Sequence, residues 1–171
     1  MKSKKQATAE LELQAFLPYR ISILANILSR ALAARYAEEF GLSVPQWRVM
    51  AVLGRESGLT PGEVVERTAM DKVAVSRAVA GLVRAGRVSQ VVDPADGRRR
   101  RLRLTPSGRR VYRRIVPRAL DFEERFLERL DPHDRARLEE LLPVLQRAAD
   151  QVAAEEAGAE AGRRRGGLRS V

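Results

Sequence analysis

Two helix-start signals lie close together in the middle of the chain, and they constrain the fold more than any other feature. The segment Thr60–Glu63 (TPGE) has the pattern of a capping box with proline at the first helical position. Asp71 then precedes a run with apolar residues at helical spacing, which ends at Gly86. A short helix, a tight connection and a second helix have the spacing of a helix-turn-helix.

The apolar pattern changes from helical to alternating directly after this motif. Val88–Val92 predicts a strand, Asp93–Gly97 a turn and Arg100–Leu104 a returning strand. In the second strand the leucines share one face and two of the arginines share the other. Two strands that follow a helix-turn-helix predict its winged form.

Further helices are predicted on both sides of this unit by proline, glycine and capping signals. Their approximate bounds are Leu17–Phe40, Ser43–Glu56, Thr105–Leu130 with a kink at Pro117, and a last helix from Asp131 with a kink at Pro143. The fold class is therefore mainly α, with a two-strand wing. Because the outer helices have apolar faces too wide for the small unit to cover, we infer a helical dimer interface.

These patterns divide the chain into three kinds of region. We expect disordered basic tails at residues 1–10 and 157–171. The winged helix-turn-helix occupies residues 43–105, and residues 11–42 and 106–156 form the helical dimerisation region.

The positive charge of the chain is concentrated in one segment. The chain carries 32 Lys and Arg against 22 Asp and Glu, a net charge of +10. Residues 84–118 hold twelve arginines against two acids, so this segment accounts for the whole excess. Charge focused in this way indicates a polyanionic partner, most simply nucleic acid. The alternative is a solubilising surface, which normally intersperses both signs.

The sequence has no pattern typical of an enzyme or a metal site. It contains no cysteine, one histidine (His133) at a predicted helix start, and no glycine-rich phosphate loop after a strand. We therefore expect no catalytic residue, metal or cofactor. Without an apolar run of about 18 residues or an apolar signal segment, we expect a cytoplasmic protein with no membrane partner.

The first turns of the second motif helix present side chains suited to double-stranded DNA. The candidate contacts are Lys72, Ala74, Ser76 and Arg77. Arg77 can hold a phosphate or the O6/N7 edge of guanine, and Ala74 can touch a thymine methyl. The alternative for Arg77 is a solvated surface residue. For the whole chain the alternative is an architectural DNA-binding protein without sequence preference or effector, but the short polar set favours a specific regulator.

Three stretches carry a resemblance to a known family: LSVPQWRVMAVL, LTPGEVVERTAMDKVAVSRAVAGLVRAGRV and DPADGRRRRLRLTPSG. Together they resemble the MarR family of winged helix-turn-helix repressors over about residues 16–150. The resemblance implies a homodimer on a pseudo-palindromic operator, with recognition helices in successive major grooves and wings in the flanking minor grooves. The sequence departs from the family pattern at Gly81, where glycine inside a helix costs about 1 kcal/mol relative to alanine.

The resemblance also gives roles to the turn between the strands. Asp96-Gly97-Arg98 is similar to the family's wing-tip Asp-x-Arg element, in which Asp96 orients a guanidinium and Arg98 enters the minor groove. Four neighbouring arginines are too many to fit in the groove, so most of them then meet flanking phosphates: Arg99, Arg100, Arg101 and Arg103. Thr60 is a further phosphate candidate at a helix N-terminus, with a purely structural cap as the equal alternative.

A small-molecule effector is indicated by the first two helices. Polar residues follow one side of an otherwise apolar helix: Tyr19, Ser22, Asn26 and Arg30. Trp47 beside Arg48 offers an aromatic plate and a guanidinium, which suit an aromatic acid or its thioester. The alternative is that Trp47 fills the core and the polar stripe is solvated. These stretches resemble the MarR branch that responds to hydroxycinnamoyl-CoA thioesters or related aromatic acids, which implies a repressor released by such a molecule.

Overall fold

The computed structural model describes residues 10–93 and 96–167 of the chain. Within these residues it has seven helices and one pair of strands: α1 (Leu17–Ala33), α2 (Ala37–Phe40), α3 (Val44–Arg55), α4 (Pro61–Thr68), α5 (Lys72–Arg84), β1 (Val88–Val92), β2 (Arg100–Leu104), α6 (Pro106–Leu127) and α7 (Pro132–Gly167). The chain divides after Phe122 into two compact units. The predicted class, mainly α with a two-strand wing, is confirmed.

The helices of the central motif begin where the capping signals place them. Ser43 and Gln46 form a complete capping box at α3, and Thr60 and Glu63 form another at α4. At α5 the Asp71 carboxylate accepts a hydrogen bond of 2.8 Å from the backbone N–H of Ala74. Each cap satisfies backbone donors that the first helical turn leaves without partners, so local sequence fixes these three helix starts.

The two strands form an antiparallel hairpin with the register Val88↔Leu104 to Val92↔Arg100. Leu102 and Leu104 are buried while Arg103 is exposed, as the alternation predicts. The connection between α3 and α4 pairs with the outer edge of β2. Gly58 N–H donates to the Leu102 carbonyl over 2.9 Å, and Leu102 N–H donates to the Leu59 carbonyl over 2.7 Å. The wing is therefore attached to the helix-turn-helix by backbone hydrogen bonds.

The hydrophobic core of the first unit lies between α3, α5 and the hairpin. Its fully covered side chains include Met50, Leu53, Leu82, Leu102 and Ile115. An aromatic group closes one end of this core, where the Trp47 ring lies between Tyr36, at a centroid distance of 5.6 Å, and Tyr112, at 6.1 Å. These contacts join α3 to the start of α2 and to α6.

The first predicted helix, Leu17–Phe40, was wrong in its continuity. The structure ends α1 at Ala33 and starts the short helix α2 at Ala37. Between them Tyr36 leaves helical geometry, with φ −138°, and its side chain is 1 % exposed against Trp47. The burial of one large aromatic ring thus overrides a continuous helical pattern that contains no proline or glycine at this point.

Residues 157–167, which belong to the predicted C-terminal tail, form the end of α7 in the structure. This stretch holds three alanines, one glutamate and three arginines, which are good helix formers, together with four glycines, which are not. Residues 168–171, and residues 1–9 of the predicted N-terminal tail, lie outside the described residues. Helices α6 and α7 are continuous through Pro117 and Pro143.

In the described part of the chain, no helix combines the length and the apolar character that crossing a membrane requires.

Candidate nucleic-acid interface

Helix α5 has one buried face and one exposed face. Val75, Val79 and Leu82 are buried in the core. The exposed side is formed by Lys72, Val73, Ser76, Arg77 and Ala80. Three of the predicted DNA contacts, at positions 72, 76 and 77, therefore share one accessible surface.

The fourth predicted residue of α5, Ala74, is half-buried, and its neighbour Val73 is 56 % exposed. Val73 was not among the predicted contacts, although it shares the helical face of Ser76 and Arg77 by its i, i+3 and i+4 spacing. That spacing was the signal that could have found it. An exposed valine beside polar groups can make the thymine-methyl contact that was assigned to Ala74.

Gly81 has a packing role in α5. A Cβ at this position would lie 2.5 Å from Nε2 of Gln46. The same Gln46 side chain accepts a hydrogen bond of 2.9 Å from the backbone N–H of Ser43 in the α3 capping box. The glycine therefore lets α5 pass close to the start of α3, which accounts for a residue that is unfavourable in a helix.

The turn of the wing is organised by Asp96, but not as the resemblance implied. One carboxylate oxygen accepts a hydrogen bond of 3.1 Å from the backbone N–H of Arg98, and the other lies 3.1 Å from Nε of Arg99. The guanidinium paired with Asp96 is thus that of Arg99. Among the described residues the Arg98 guanidinium has no hydrogen-bond partner, and the side chain is exposed. Pro94 and Ala95 of the turn lie outside the described residues.

The arginines of β2 divide into two groups. Arg100 and Arg103 are exposed. Arg101 instead turns toward Asp93, whose carboxylate lies 2.7 Å from Arg101 Nε and is only 7 % exposed. The expectation of flanking phosphate contacts therefore fits Arg100 and Arg103 better than Arg101.

Thr60 is fully engaged in the capping box of α4. Its hydroxyl donates to the Glu63 carboxylate over 2.8 Å and accepts from the Glu63 N–H over 3.3 Å. The Thr60 N–H donates to the same carboxylate over 2.7 Å. These hydrogen bonds, that of the Thr60 backbone first, lower the pKa of Glu63. A phosphate at this helix start would be repelled by the ionised Glu63 carboxylate. The geometry therefore favours the alternative that Thr60 is a purely structural cap.

Two arginines of α6 are paired with acids and an aromatic ring. Arg114 and Arg118 both form ion pairs with Glu39. Their guanidinium carbons lie 5.1 and 5.5 Å from the centroid of the Phe40 ring. The basic segment at residues 84–118 is therefore not uniformly available to a polyanion, because several of its arginines hold the fold together.

The predicted effector residues have different surroundings in the structure. Trp47 is 8 % exposed, and its ring packs against those of Tyr36 and Tyr112, so it fills the core. Arg48 is exposed and donates to the Ser29 hydroxyl over 3.1 Å. Ser22, Asn26 and Arg30 are exposed on α1.

Two cavities adjoin the predicted sites. Tyr19 lines a shallow cavity of about 340 Å³ on α1, together with Gln14, Arg20, Ile23, Leu24 and Ile27. A second cavity, of about 500 Å³, lies between α4, α5 and β1. Its walls are mainly apolar, with Lys72, Ser76 and Gln90 as polar members.

The described residues contain no cluster of His, Asp or Glu side chains that could hold a metal ion.

Comparison with known proteins places this geometry among transcriptional regulators. The model of the MarR family matches residues 40–99. The chain is similar to the structure of the PcaV transcriptional regulator from Streptomyces coelicolor in complex with its natural ligand, with 31 % identity and a TM-score of 0.68. That match covers 82 % of this chain and 99 % of PcaV.

Two further relatives extend the comparison. A MarR/EmrR family transcriptional regulator from Acinetobacter sp. ADP1 is 26 % identical with a TM-score of 0.74, over 82 % of this chain and 99 % of that one. The transcriptional activatory protein BadR of Rhodopseudomonas palustris is 30 % identical over 109 residues. That match spans 62 % of this chain and 62 % of BadR, so it leaves more than a third of BadR uncovered.

Proposed function

This chain belongs to the MarR family of transcriptional regulators, which are not enzymes, and from that premise we propose that it binds a specific double-stranded DNA operator as a homodimer and is released by a small aromatic ligand. The observation that carries the proposal is the exposed face of α5, where Lys72, Ser76 and Arg77 lie together beside Val73. A helix start with both polar and apolar exposed groups can distinguish base pairs in a major groove.

The wing supports the same proposal from a second element. Its turn presents Arg98 with the adjacent Arg99 and Arg100, and all three side chains are exposed. Arginine is favoured in a narrow minor groove because the negative potential is enhanced there. A two-part contact, with α5 in the major groove and the wing beside it, would give both sequence reading and affinity.

Apolar faces on the outer helices support the homodimer. Helix α1 has no buried residue, and it leaves Leu17, Ile21 and Leu24 about half exposed. Helix α7, taken by itself, exposes Leu141, Leu142 and Leu145 to a similar degree. Leucine and isoleucine at helical spacing on the surface mark a protein–protein contact. A second copy of the chain is the partner that a symmetric operator requires.

An aromatic acid is the effector class that the cavity on α1 favours. Tyr19 supplies an aromatic ring, Ile23 and Ile27 supply apolar walls, and Arg20 supplies a guanidinium for a carboxylate. PcaV, at 31 % identity, was solved with its natural ligand. An aromatic acyl-CoA is the alternative effector, since exposed arginines could hold its phosphates. We propose that the chain represses transcription. Because the similar protein BadR is a transcriptional activatory protein, the experiment must distinguish repression from activation.

The test begins with selection of binding sequences from a random duplex library by the purified protein. A mobility-shift titration then compares the selected duplex with a scrambled duplex at near-physiological salt. We expect a preference of about 10³ or more for the selected duplex. Arg77→Ala should reduce that preference, whereas Arg84→Ala, in the last turn of the same helix, should leave it in place. Equal affinity for both duplexes would instead identify an architectural DNA-binding protein.

Effector binding is tested on the selected complex. Benzoates, hydroxycinnamates and hydroxycinnamoyl-CoA are added up to saturation, and the fraction of bound DNA is measured. Release by an acid in the wild type, but not in Arg20→Gln, would support the cavity on α1. A reporter gene behind the selected sequence, with and without the protein, gives the sign of regulation. No release by any compound would contradict the effector part of the proposal alone.

A further inference from the structure

Asp93 is the one buried charged side chain among the residues that the structure describes, with 6 % of its surface exposed. It directly follows β1, at the root of the wing turn. A carboxylate is costly to bury unless a charged hydrogen-bond donor compensates it. Position 93 therefore holds a carboxylate for a purpose that an apolar residue would not serve.

The Arg101 guanidinium is a charged partner of this carboxylate, and it makes a second contact outside the hairpin. Its Nε lies 2.7 Å from the Asp93 carboxylate, and one of its terminal nitrogens donates to the Gly58 carbonyl over 2.9 Å. Gly58 lies in the connection between α3 and α4. One planar group with fixed donor directions thus ties the wing turn to the helix-turn-helix.

The positive charge of Arg101 also acts on Glu63, the capping carboxylate at the start of α4. The pKa of Glu63 is lowered mainly by the hydrogen bonds from Thr60, and to a smaller extent by the charges of Arg101 and Arg67. Arg101 itself contacts two elements, Asp93 on the wing and the Gly58 carbonyl before α4. Its side chain is 37 % exposed, so the contacts leave it partly covered.

We propose that Arg101 is a positioning residue that sets the direction of the wing relative to α5, so that the wing tip at residues 96–99 and the exposed face of α5 reach adjacent grooves of one DNA duplex together. The proposal rests on the proposed function.

Backbone hydrogen bonds from Gly58 and to Leu59 hold the middle of β2, but the turn lies beyond them. The Arg101 bridge extends the attachment to Asp93, the last described residue before the tip. A preorganised tip loses less conformational entropy on binding than a free one, so more of its contact energy appears as affinity.

The test compares two duplexes that carry the sequence selected by the wild type. One is long enough to include the flanking minor grooves, and the other is trimmed to the bases that the two α5 helices reach. The ratio of the two affinities is the flank gain. Arg101→Gln removes the bridge and its charge, while Arg101→Lys keeps the charge but cannot make both contacts with fixed geometry. Arg55→Gln is the control, because it removes an exposed arginine in the last turn of α3, outside the wing and outside the exposed face of α5.

We expect a flank gain of about tenfold or more for the wild type. Both Arg101 variants should lose most of this gain and bind the trimmed duplex within about threefold of the wild type, which also shows that they fold. Arg55→Gln should keep most of the gain.

Three results would overturn the proposal: a flank gain retained by both Arg101 variants, an equal loss on both duplexes, or an equal loss in Arg55→Gln. A wild type that binds the selected sequence without any flank gain would refute the wing contact, and this inference with it. A wild type without sequence preference would refute the proposed function itself.

Discussion

Gly108 lies so close to Arg87 that a Cβ on the glycine would stand 2.0 Å from the Arg87 carbonyl oxygen. The same carbonyl accepts a hydrogen bond of 3.0 Å from the backbone N–H of Thr105. The Thr105 hydroxyl donates to the Gly86 carbonyl over 2.7 Å. The start of α6 is thereby fixed to the turn between α5 and β1, and only glycine fits at the point of contact.

Gly108→Ala should therefore destabilise the protein. The added methyl group meets backbone, which cannot move aside as a flexible side chain can, and we expect a loss of about 1–3 kcal/mol in the free energy of unfolding. Urea denaturation at one fixed protein concentration measures it, since a dimer's stability depends on concentration. Gly97→Ala is the control, because a Cβ there has open space. Equal midpoints for the wild type and Gly108→Ala would show that the contact is not as close as described.

Tyr36 should make the protein sensitive to alkali. Burial raises the pKa of Tyr36 above its usual value of 10.0, against the opposing effect of Arg48. A raised pKa in the folded state means that stability is complete below pH 10 and is lost as the pH rises through the folded value. Tyr36→Phe should weaken this alkaline loss, and Tyr19→Phe, at an exposed tyrosine, should not. Urea denaturation at several values between about pH 9 and pH 11 gives the comparison. Parallel curves for wild type and Tyr36→Phe would contradict it.

Glu63 should contribute to stability at neutral pH and lose that contribution in acid. The Thr60 N–H and hydroxyl lower the pKa of the Glu63 carboxyl below its usual value of 4.5. A lowered pKa in the folded state gives stability that is present above the usual value and lost as the pH falls through the folded one. Glu63→Gln should flatten the decline of the melting temperature in acid. Glu66→Gln, on the same helix, is the matched control, and an identical decline in Glu63→Gln and wild type would argue against the capping carboxylate.

Arg98→Ala should weaken binding to the selected DNA by at least about 1 kcal/mol without unfolding the protein. Arg98 is exposed at the wing tip, and its backbone is held by Asp96. Arg135→Ala, which removes an exposed arginine of α7, should leave affinity unchanged. Isothermal titration calorimetry gives the affinities, and circular dichroism shows that each variant is folded. An Arg98→Ala protein with wild-type affinity would remove Arg98 from the interface.

The central unit was predictable because its signals are local. A capping box depends on two side chains three residues apart, so Thr60 and Glu63 fix the start of α4 without help from the rest of the chain. The hairpin is similarly local, since alternating leucines and arginines allow one register that buries the leucines. The exposed face of α5 was only partly predictable. Its DNA contacts were chosen for their polarity, so the exposed Val73 was missed.

The remaining errors come from contacts between residues far apart in sequence. The break between α1 and α2 depends on Tyr36 packing against Trp47, and no residue near position 36 in the sequence indicates this break. Composition counts Arg114 and Arg118 as free positive charge, but both pair with Glu39, more than 70 residues earlier in the chain. Trp47 was predicted to contact an aromatic ligand, because an aromatic residue beside a basic one occurs both in protein cores and in binding sites.

The aromatic group around Trp47 also gives the protein an optical property. Trp47 is the only tryptophan of the chain, so all of its indole emission arises at one point, between Tyr36 and Tyr112. Tyr112 belongs to α6, the helix that continues from the first unit into the second. Any displacement of α6 from α3 changes the surroundings of a single chromophore. The native protein thus carries an intrinsic fluorescent reporter at the base of α6, and its motions there can be followed without an attached dye.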